Sequence, residues 1–422
     1  MSAPGPVIPV TESARNTSPF RSGSFRVYWF GGLSSNIGTW LHAVTSSVLM
    51  FNLTQSAFMV GVLSFANFLP ILAFSLLGGV VSDRVDRRKV VLACSVVSVL
   101  VSGFITGLAL ASKVTPAALL AVSFLLGSCY AFAKPALSAM LPALVGSEGL
   151  AHATAINTLQ FTVGQVIGST LSALILALYE PWVAFATNTF TYLGPIAAMM
   201  ALRKLPVQDL APRVPGLQSL REGLAFVVRQ SGLMRIVGAI VLANGVIEGL
   251  RTLAPVITDV EMQLTAEQAG LLVGAVGAGS VIGALAFGHM NKRLDRRRMV
   301  QMGFALQAIG LFGAASATSL PWAMTAALIM GIGFAFIIPL LSAEMQERAP
   351  DALRGRVMAT FAMAHLGLRP LTALLAGSLA ALVGTRMTLG IFVFLAIGGL
   401  IVLRGGRTLH DPRSAHLSPV RP

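Results

Sequence analysis

The stretch Gly79-Val-Val-Ser-Asp83-Arg84-Val-Asp86-Arg87-Arg88-Lys89-Val90 decides the fold, because a related stretch recurs in the second half of the chain. A shift of 209 residues places it on Gly288-His-Met-Asn-Lys-Arg293-Leu-Asp295-Arg296-Arg297-Arg298-Met299. The same shift places residues 56–61 on 265–270, and a shift of 204 places 135–139 on 339–343. Loop charge alone does not produce these matches in this order, so the sequence indicates an internal duplication.

The sequence around the repeated stretch is strongly apolar. Of 422 residues, 55% are hydrophobic and 11% are charged, and the mean hydropathy is +0.78. Soluble domains carry about 25% charged residues. So few charges do not cover a water-facing surface of this size, and the composition therefore predicts an integral membrane protein.

Segments of about 20 apolar residues are long enough to span a bilayer. Twelve segments meet this length, and they divide into two repeats of six. They predict an all-α polytopic protein with two parallel six-helix bundles, an architecture that binds substrate between the bundles near mid-membrane. The segments are 26–51, 57–82, 89–112, 116–144, 151–178, 182–202, 233–257, 266–290, 298–318, 321–344, 354–383 and 386–404.

The basic residues indicate the orientation of these spans. The net charge is +14, and 25 of the 30 Lys and Arg residues fall on one side of the predicted spans. The loops 83–89 and 292–298 and the connection 203–232 hold 14 of these 25. The opposite loops hold Lys113 and Arg386. This bias predicts that both termini are cytoplasmic. Because the positive charge lies in short loops between apolar runs, we expect no nucleic-acid partner.

The connection 203–232 divides the chain into domains. We expect a disordered cytoplasmic tail at 1–24, a first bundle at 25–202, a second bundle at 233–404 and a cytoplasmic tail at 405–422. The tail 1–24 lacks the apolar centre of a signal peptide. Within the linker, Leu, Phe, Val and Arg at helical spacing over 217–230 predict an amphipathic helix on the inner membrane surface.

Other functional classes lack their sequence signals. Cys94 and Cys129 lie inside apolar runs with no metal-ligand spacing, so we expect small buried side chains and no metal site. There is no G-x-x-x-x-G-K-[ST] phosphate-binding loop and no H-E-x-x-H motif. We therefore expect neither ATP-driven pumping by this chain nor a membrane-embedded enzyme, and no cofactor besides an ion gradient.

The repeated stretch resembles the loop 2–3 signature of the major facilitator superfamily, G-x-x-x-D-R-x-x-R-R, at residues 79–88, with an echo at 288–297. The resemblance covers essentially 25–404. Residues 36–40, 53–56 and 354–359 resemble the branch of enterobactin-type siderophore exporters and macrolide efflux pumps. The fifth span keeps Gly164 and Gly168 of an export motif and lacks its proline, so that motif alone does not identify an antiporter.

The signature residues are candidates for gating. Gly79 is expected to allow two helices to approach closely, and Asp83 to contact the N-terminus of the eleventh span near Arg354 and Arg356. The resemblance implies that this contact holds one transport state. Topology signalling alone is the alternative for the arginines. The gating candidates are Gly79, Asp83, Arg84, Arg87, Arg88, Gly288, Arg293, Asp295, Arg296 and Arg297.

Polar groups inside spans are the candidates for coupling and binding, because they are costly in lipid. Glu248 and Arg251 share a helix face, either as a proton-coupling pair or as a structural ion pair. Basic residues in the spans slightly favour an anionic or metal-chelating substrate. The residues that either line a cavity or pack and bridge helices are Asn36, Trp40, His42, Lys134, Asn157, Gln160, Asn244, His365 and Arg369.

Together, the residues and the resemblance imply a secondary transporter of the bacterial inner membrane. We expect proton-coupled efflux of an amphipathic small molecule, such as a siderophore, a drug or a secondary metabolite, by a monomer in the lipid bilayer. An importer of a nutrient or signalling molecule is the alternative with the same fold. These motifs do not determine the direction of transport.

Overall fold

The computed structural model describes residues 18–202, 216–350 and 353–402, and within these ranges it contains helices and no strand. Two short 3-10 turns (Pro19–Arg21 and Ala266–Gln268) and two π turns (Ile257–Glu261 and Met363–Gly367) accompany the helices. The helices are α1 Gly23–Thr54, α2 Ala57–Arg84, α3 Arg87–Leu110, α4 Pro116–Leu178, α5 Pro181–Thr191, α6 Leu193–Ala201, α7 Gly216–Arg229, α8 Ser231–Val256, α9 Ala269–Arg293, α10 Arg296–Ala315, α11 Leu320–Arg348, α12 Arg354–Ala362, α13 Arg369–Val383 and α14 Thr385–Val402.

The predicted spans coincide with these helices. Nine stretches within the described ranges are long and apolar enough to cross a membrane. Helix α4 covers two predicted spans, and Gly146, at φ 72°, divides it into Pro116–Gly146 and His152–Leu178. Glycine suits this position because it adopts positive φ at little cost. The all-α membrane fold is thus confirmed, and the number of twelve spans stays a prediction.

Short polar side chains begin several helices by accepting a hydrogen bond from a free backbone N–H. Asp86 caps α3 through Arg88 N at 2.9 Å, and the equivalent Asp295 caps α10 through Arg298 N at 2.9 Å. The duplicated sequence therefore builds the same helix start in both halves.

Residues 18–24 of the expected N-terminal tail have a defined structure. They were predicted to be disordered, but a 3-10 turn begins at Pro19 and α1 begins at Gly23. Ser22 caps α1, and Phe20 packs edge-on against Phe25 and Trp29. These aromatic contacts stabilise the turn. They were not predicted because the hydropathy of a segment does not indicate which of its rings pack together. Residues 1–17, 203–215 and 403–422 lie outside the described residues.

The predicted amphipathic helix is confirmed as α7, and its position on the membrane surface stays a prediction. Val227 is fully buried in the core of the second half, beside Leu233 and Val357. Glu222 forms an ion pair with Arg356 of α12. Helix α7 is therefore docked on the second half by packing and charge.

The two halves meet most closely at one end of the bundle. We call the end with loops 83–89 and 292–298 the basic end, and the opposite end the far end. At the far end, a Cβ on Gly61 would lie 3.1 Å from Gly377 Cα, and one on Gly270 would lie 2.2 Å from Ser169 O. Small residues allow such helix contact. Asn52 also donates to Glu267 across the halves at 3.2 Å.

Candidate functional site

A large cavity lies inside the first half and extends to the second. Its volume is about 1380 Å³, counting the open space at its mouth. The lining runs from Trp40 and Phe68 at mid-span to Tyr28 and Met199 near the basic end. The second half contributes Leu366 and Arg369, which lie at the π turn between α12 and α13. Breaks of this kind are frequent at functional sites.

Most of the predicted cavity residues line this space: Asn36, Trp40, His42, Lys134, Asn157, Gln160 and Arg369. Two others do not line it. Asn244 donates to Ile240 O one turn earlier at 2.7 Å. His365 stacks with Phe334 and Phe361 at centroid distances of 6.2 and 5.7 Å. The structure therefore places both among packed helices, which is the second of the two alternatives given for these residues.

The polar cavity residues also bridge helices. Asn36 Nδ2 donates to Gln160 Oε1 at 3.1 Å, which links α1 with the second half of α4. His42 Nε2 lies 3.3 Å from Ser46 Oγ and 3.4 Å from Ser123 Oγ. The two alternatives, lining a cavity and bridging helices, are thus both true of Asn36, Gln160 and His42.

A smaller cavity of about 560 Å³ holds the predicted coupling pair. Arg251 Nη1 lies 3.9 Å from Glu248 Oε2, and both side chains are buried. Arg251 Nη2 donates to Gln165 at 2.9 Å, and its guanidinium lies 5.0 Å from the centroid of the Trp40 ring. Trp40 lines both cavities, as do Ala43, Asn67 and Phe68, so the two cavities share a wall.

The large cavity is electropositive. Lys134 and Arg369 line it, and no carboxylate does among the described side chains. Arg369 is 5% exposed, and its guanidinium lies 5.7 Å from the centroid of the Phe68 ring. A buried cation of this kind favours a negatively charged partner.

Several lining residues were missed by the sequence analysis. Cys94 and Cys129 line the large cavity and are partly exposed, so their assignment as small buried side chains is wrong. The spacing of Cys94 and Ser98 on one face of α3 was an available signal. Aromatic rings not singled out earlier also form the wall: Tyr28, Phe68, Tyr130, Phe161 and Tyr192.

The arginines of the repeated loop hold helices of their own half together. Arg87 donates to Ala139 O at 2.9 Å, and Arg88 donates to Met199 O at 2.6 and 2.9 Å. In the second half, Arg296 bonds Glu344 at 3.1 Å and Glu347 at 2.6 Å. These arginines therefore have a structural role besides any effect on topology.

The expected close approach at Gly79 is wrong. A Cβ there would meet nothing within 4 Å, as at Gly288, whereas one on Gly78 would lie 2.5 Å from Ala131 O. Gly78 therefore lies on the face of α2 that packs against α4, and Gly79, one residue later, does not. Arg84, Arg293 and Arg297 are exposed. The side chains of Asp83 and Arg354 lie outside the described residues, so their gating contact stays a prediction.

Comparison with known proteins gives consistent matches along the chain. The family described as transmembrane secretion effector matches residues 14–414. The enterobactin exporter EntS of Escherichia coli O6:K15:H31 (strain 536) is 30% identical over 401 residues, which cover 90% of this chain and 91% of EntS.

Solved structures share the fold at low identity. The D323A mutant of the nucleoside transporter NupG has a TM-score of 0.75 at 13% identity, covering 90% of this chain and 98% of NupG. A bacterial homologue of the human lysosomal transporter Spinster, solved inward-facing and unoccupied, has a TM-score of 0.69 at 14% identity. That match covers 94% of this chain and all of the homologue.

Proposed function

Because this chain belongs to the transmembrane secretion effector family of the major facilitator superfamily, we propose that it is a proton-coupled exporter of an amphipathic small molecule. Its class, a multi-pass membrane transporter, follows from the family and the apolar helices. The observation that carries the proposal is the large cavity, which has polar, aromatic and basic walls. Such a site suits a molecule with an apolar body and a polar group.

Transport would proceed by alternating access. In the orientation that the charge bias predicts, the basic end faces the cytoplasm, so the cavity extends towards the cytoplasm while the far end is closed. Substrate would enter from the cytoplasm. Separation of the far-end contacts, including that of Asn52 with Glu267, would then open the cavity outward.

Glu248 is our candidate for the proton site. It lies in the small cavity, paired with Arg251, and Arg251 contacts Trp40, which also lines the large cavity. A proton on Glu248 would release Arg251 from this ion pair and so change the electrostatics beside the substrate. The same pair could serve structure alone, and the experiment below separates the two roles.

Export is favoured over import because the relative matched over 90% of this chain is an exporter. Enterobactin, which the name of this relative gives as its substrate, is the first compound to test. An importer of the same fold remains the second candidate, and enzymatic activity has no support from the family or its relatives, which are transporters. We place the protein in a bacterial inner membrane as a monomer with both termini cytoplasmic and with no cofactor beyond the proton gradient.

The test is uptake into inside-out vesicles under an imposed pH gradient, with siderophores, macrolides and fluorescent dyes as the panel. We expect gradient-dependent uptake of at least one compound, and its loss in Glu248→Gln. Uptake that is equal without a gradient would contradict proton coupling, and accumulation in right-side-out vesicles would indicate an importer. If Glu248→Gln transports normally and is folded, Glu248 has a structural role.

A further inference from the structure

We propose that Arg369 is the anion-binding residue of the large cavity, and that the substrate is an organic anion with an aromatic or apolar body. This inference rests on the proposed function, since it names the substrate class of the same cavity. It follows from the charge balance around Arg369, from the position of this residue in a broken helix and from the cavity wall.

Arg369 is a buried cation without a counter-charge among the described residues. It is 5% exposed, and its Nε has no hydrogen-bond partner. Its described contact is the ring of Phe68, which satisfies no N–H group. A buried charge is normally paired, because the loss of hydration is costly. An anion in the cavity would supply the missing partner.

The neighbouring charges do not fill this role. Among the described residues, the carboxylate of Glu248 lies against Arg251 and forms its ion pair there. Arg251 and Arg369 are close enough to repel each other. With Glu248 they place two positive charges and one negative charge in this region. Lys134 adds a second cation to the same cavity. The cavity is therefore selective against cations and favourable for an anion.

The backbone at Arg369 adds to this preference. Arg369 is the first residue of α13, and one residue, Leu368, separates it from the π turn Met363–Gly367 that interrupts the span. The N-terminus of a helix carries a partial positive charge and free N–H groups. Arg369 lies at this end and lines the cavity, so the dipole of α13 and its side chain act on the same region.

The rest of the wall favours an organic anion over a small inorganic one. Phe68, Trp40 and Phe161 face the cavity, and Tyr130 and Tyr192 add further rings. The volume of about 1380 Å³ exceeds the space that one inorganic ion needs. A bound aromatic body would contact these rings while its negative group meets Arg369.

The test compares 1-naphthoate with 1-naphthamide, which have closely similar shapes and differ in charge, on the purified full-length protein in detergent. Binding is measured as a rise in thermal unfolding temperature and as slower alkylation of Cys94 and Cys129 by N-ethylmaleimide. We expect naphthoate to bind more tightly. Arg369→Gln should weaken naphthoate about 10- to 100-fold and leave naphthamide unchanged, and Arg369→Lys should keep part of the preference.

A further readout separates binding from structure. Without ligand, Arg369→Gln should unfold at the same temperature as the wild type or higher, because the substitution removes an unpaired charge. A lower temperature would indicate a structural cation. Equal effects of both probes, full naphthoate binding by Arg369→Gln, or equal stabilisation by the same concentration of potassium chloride would each overturn the proposal.

The outcomes distinguish this proposal from the proposed function. If naphthoate binds through Arg369 and no compound is transported in vesicles, the anion site stands and the exporter assignment fails. If neutral compounds are exported as well as anionic ones and Arg369→Gln has no effect, the exporter assignment stands and the anion site fails.

Discussion

The guanidinium of Arg251 lies over the ring of Trp40, with 5.0 Å between its Cζ atom and the ring centroid. The contact joins α8 of the second half to α1 of the first half. Because Trp40 lines both cavities and contacts Arg251, it provides a direct physical connection between the candidate proton site and the candidate substrate site.

Removal of the Trp40 ring should therefore weaken coupling. A cation–π contact contributes about 0.5–2 kcal/mol, so we expect Trp40→Ala to slow proton-driven transport roughly 2- to 30-fold. Trp40→Phe is the matched control, since it keeps a ring and since Trp40 Nε1 has no hydrogen-bond partner to lose. Initial rates in inside-out vesicles, normalised to protein amount, measure this. Equal rates for Trp40→Ala and the wild type would refute the role.

The two aspartates of the repeated loop give a sharp comparison. Asp83→Asn should reduce transport at least tenfold with normal expression if its charge holds a transport state. Asp86→Asn should have little effect, because Asp86 caps α3 and Asn is an equally good cap. Transport rate and membrane expression are measured side by side. Normal transport by Asp83→Asn would end the gating hypothesis.

Arg296 and Arg87 occupy equivalent positions with different partners. Arg296→Ala should lower the free energy of unfolding by about 1–3 kcal/mol, because it removes one ion pair of buried Glu344. The loss is limited because Glu344 keeps its ion pair with Arg348. Arg87→Ala should cost about 1.5–3 kcal/mol through the loss of one charged hydrogen bond to Ala139 O, and it strands no buried charge.

The control for these two variants is Arg298→Ala, whose side chain is 74% exposed and which should change stability by less than about 0.5 kcal/mol. Thermal unfolding in detergent provides the measurement. If Arg298→Ala lowers stability as much as the other two variants, the change in net charge accounts for the loss, and the specific contacts of Arg296 and Arg87 do not.

The spans and the duplicated helix starts were predictable because they depend on local sequence. Lipid requires long apolar runs, and a cap needs one residue such as Asp86 or Asp295. The pair of Glu248 and Arg251 was found for the same reason, since residues three apart share a helix face.

The cavity itself required the structure. No local signal places Arg251 on Trp40 or leaves Arg369 unpaired, because these contacts join helices far apart in the chain. The error at Gly79 has a similar origin, since helix rotation decides which of two adjacent glycines meets a neighbour. Likewise, polarity alone did not separate His365 and Asn244 from the residues that line the cavity.

Almost all of the cavity wall comes from the first half, whereas Glu248 and Arg251 belong to the second. Under our proposals, the first half thus supplies most of the wall that contacts the cargo, and the second half supplies Arg369 and the candidate proton site. Substitutions of lining residues on α3, such as Cys94 and Ser98, would change the wall without touching the described partners of Arg251, whereas Trp40 on α1 and Gln165 on α4 contact it directly. On the proposed mechanism, exchange of first halves between relatives would therefore alter the aromatic wall, and with it the body of the accepted cargo, while Arg369 keeps the preference for an anion.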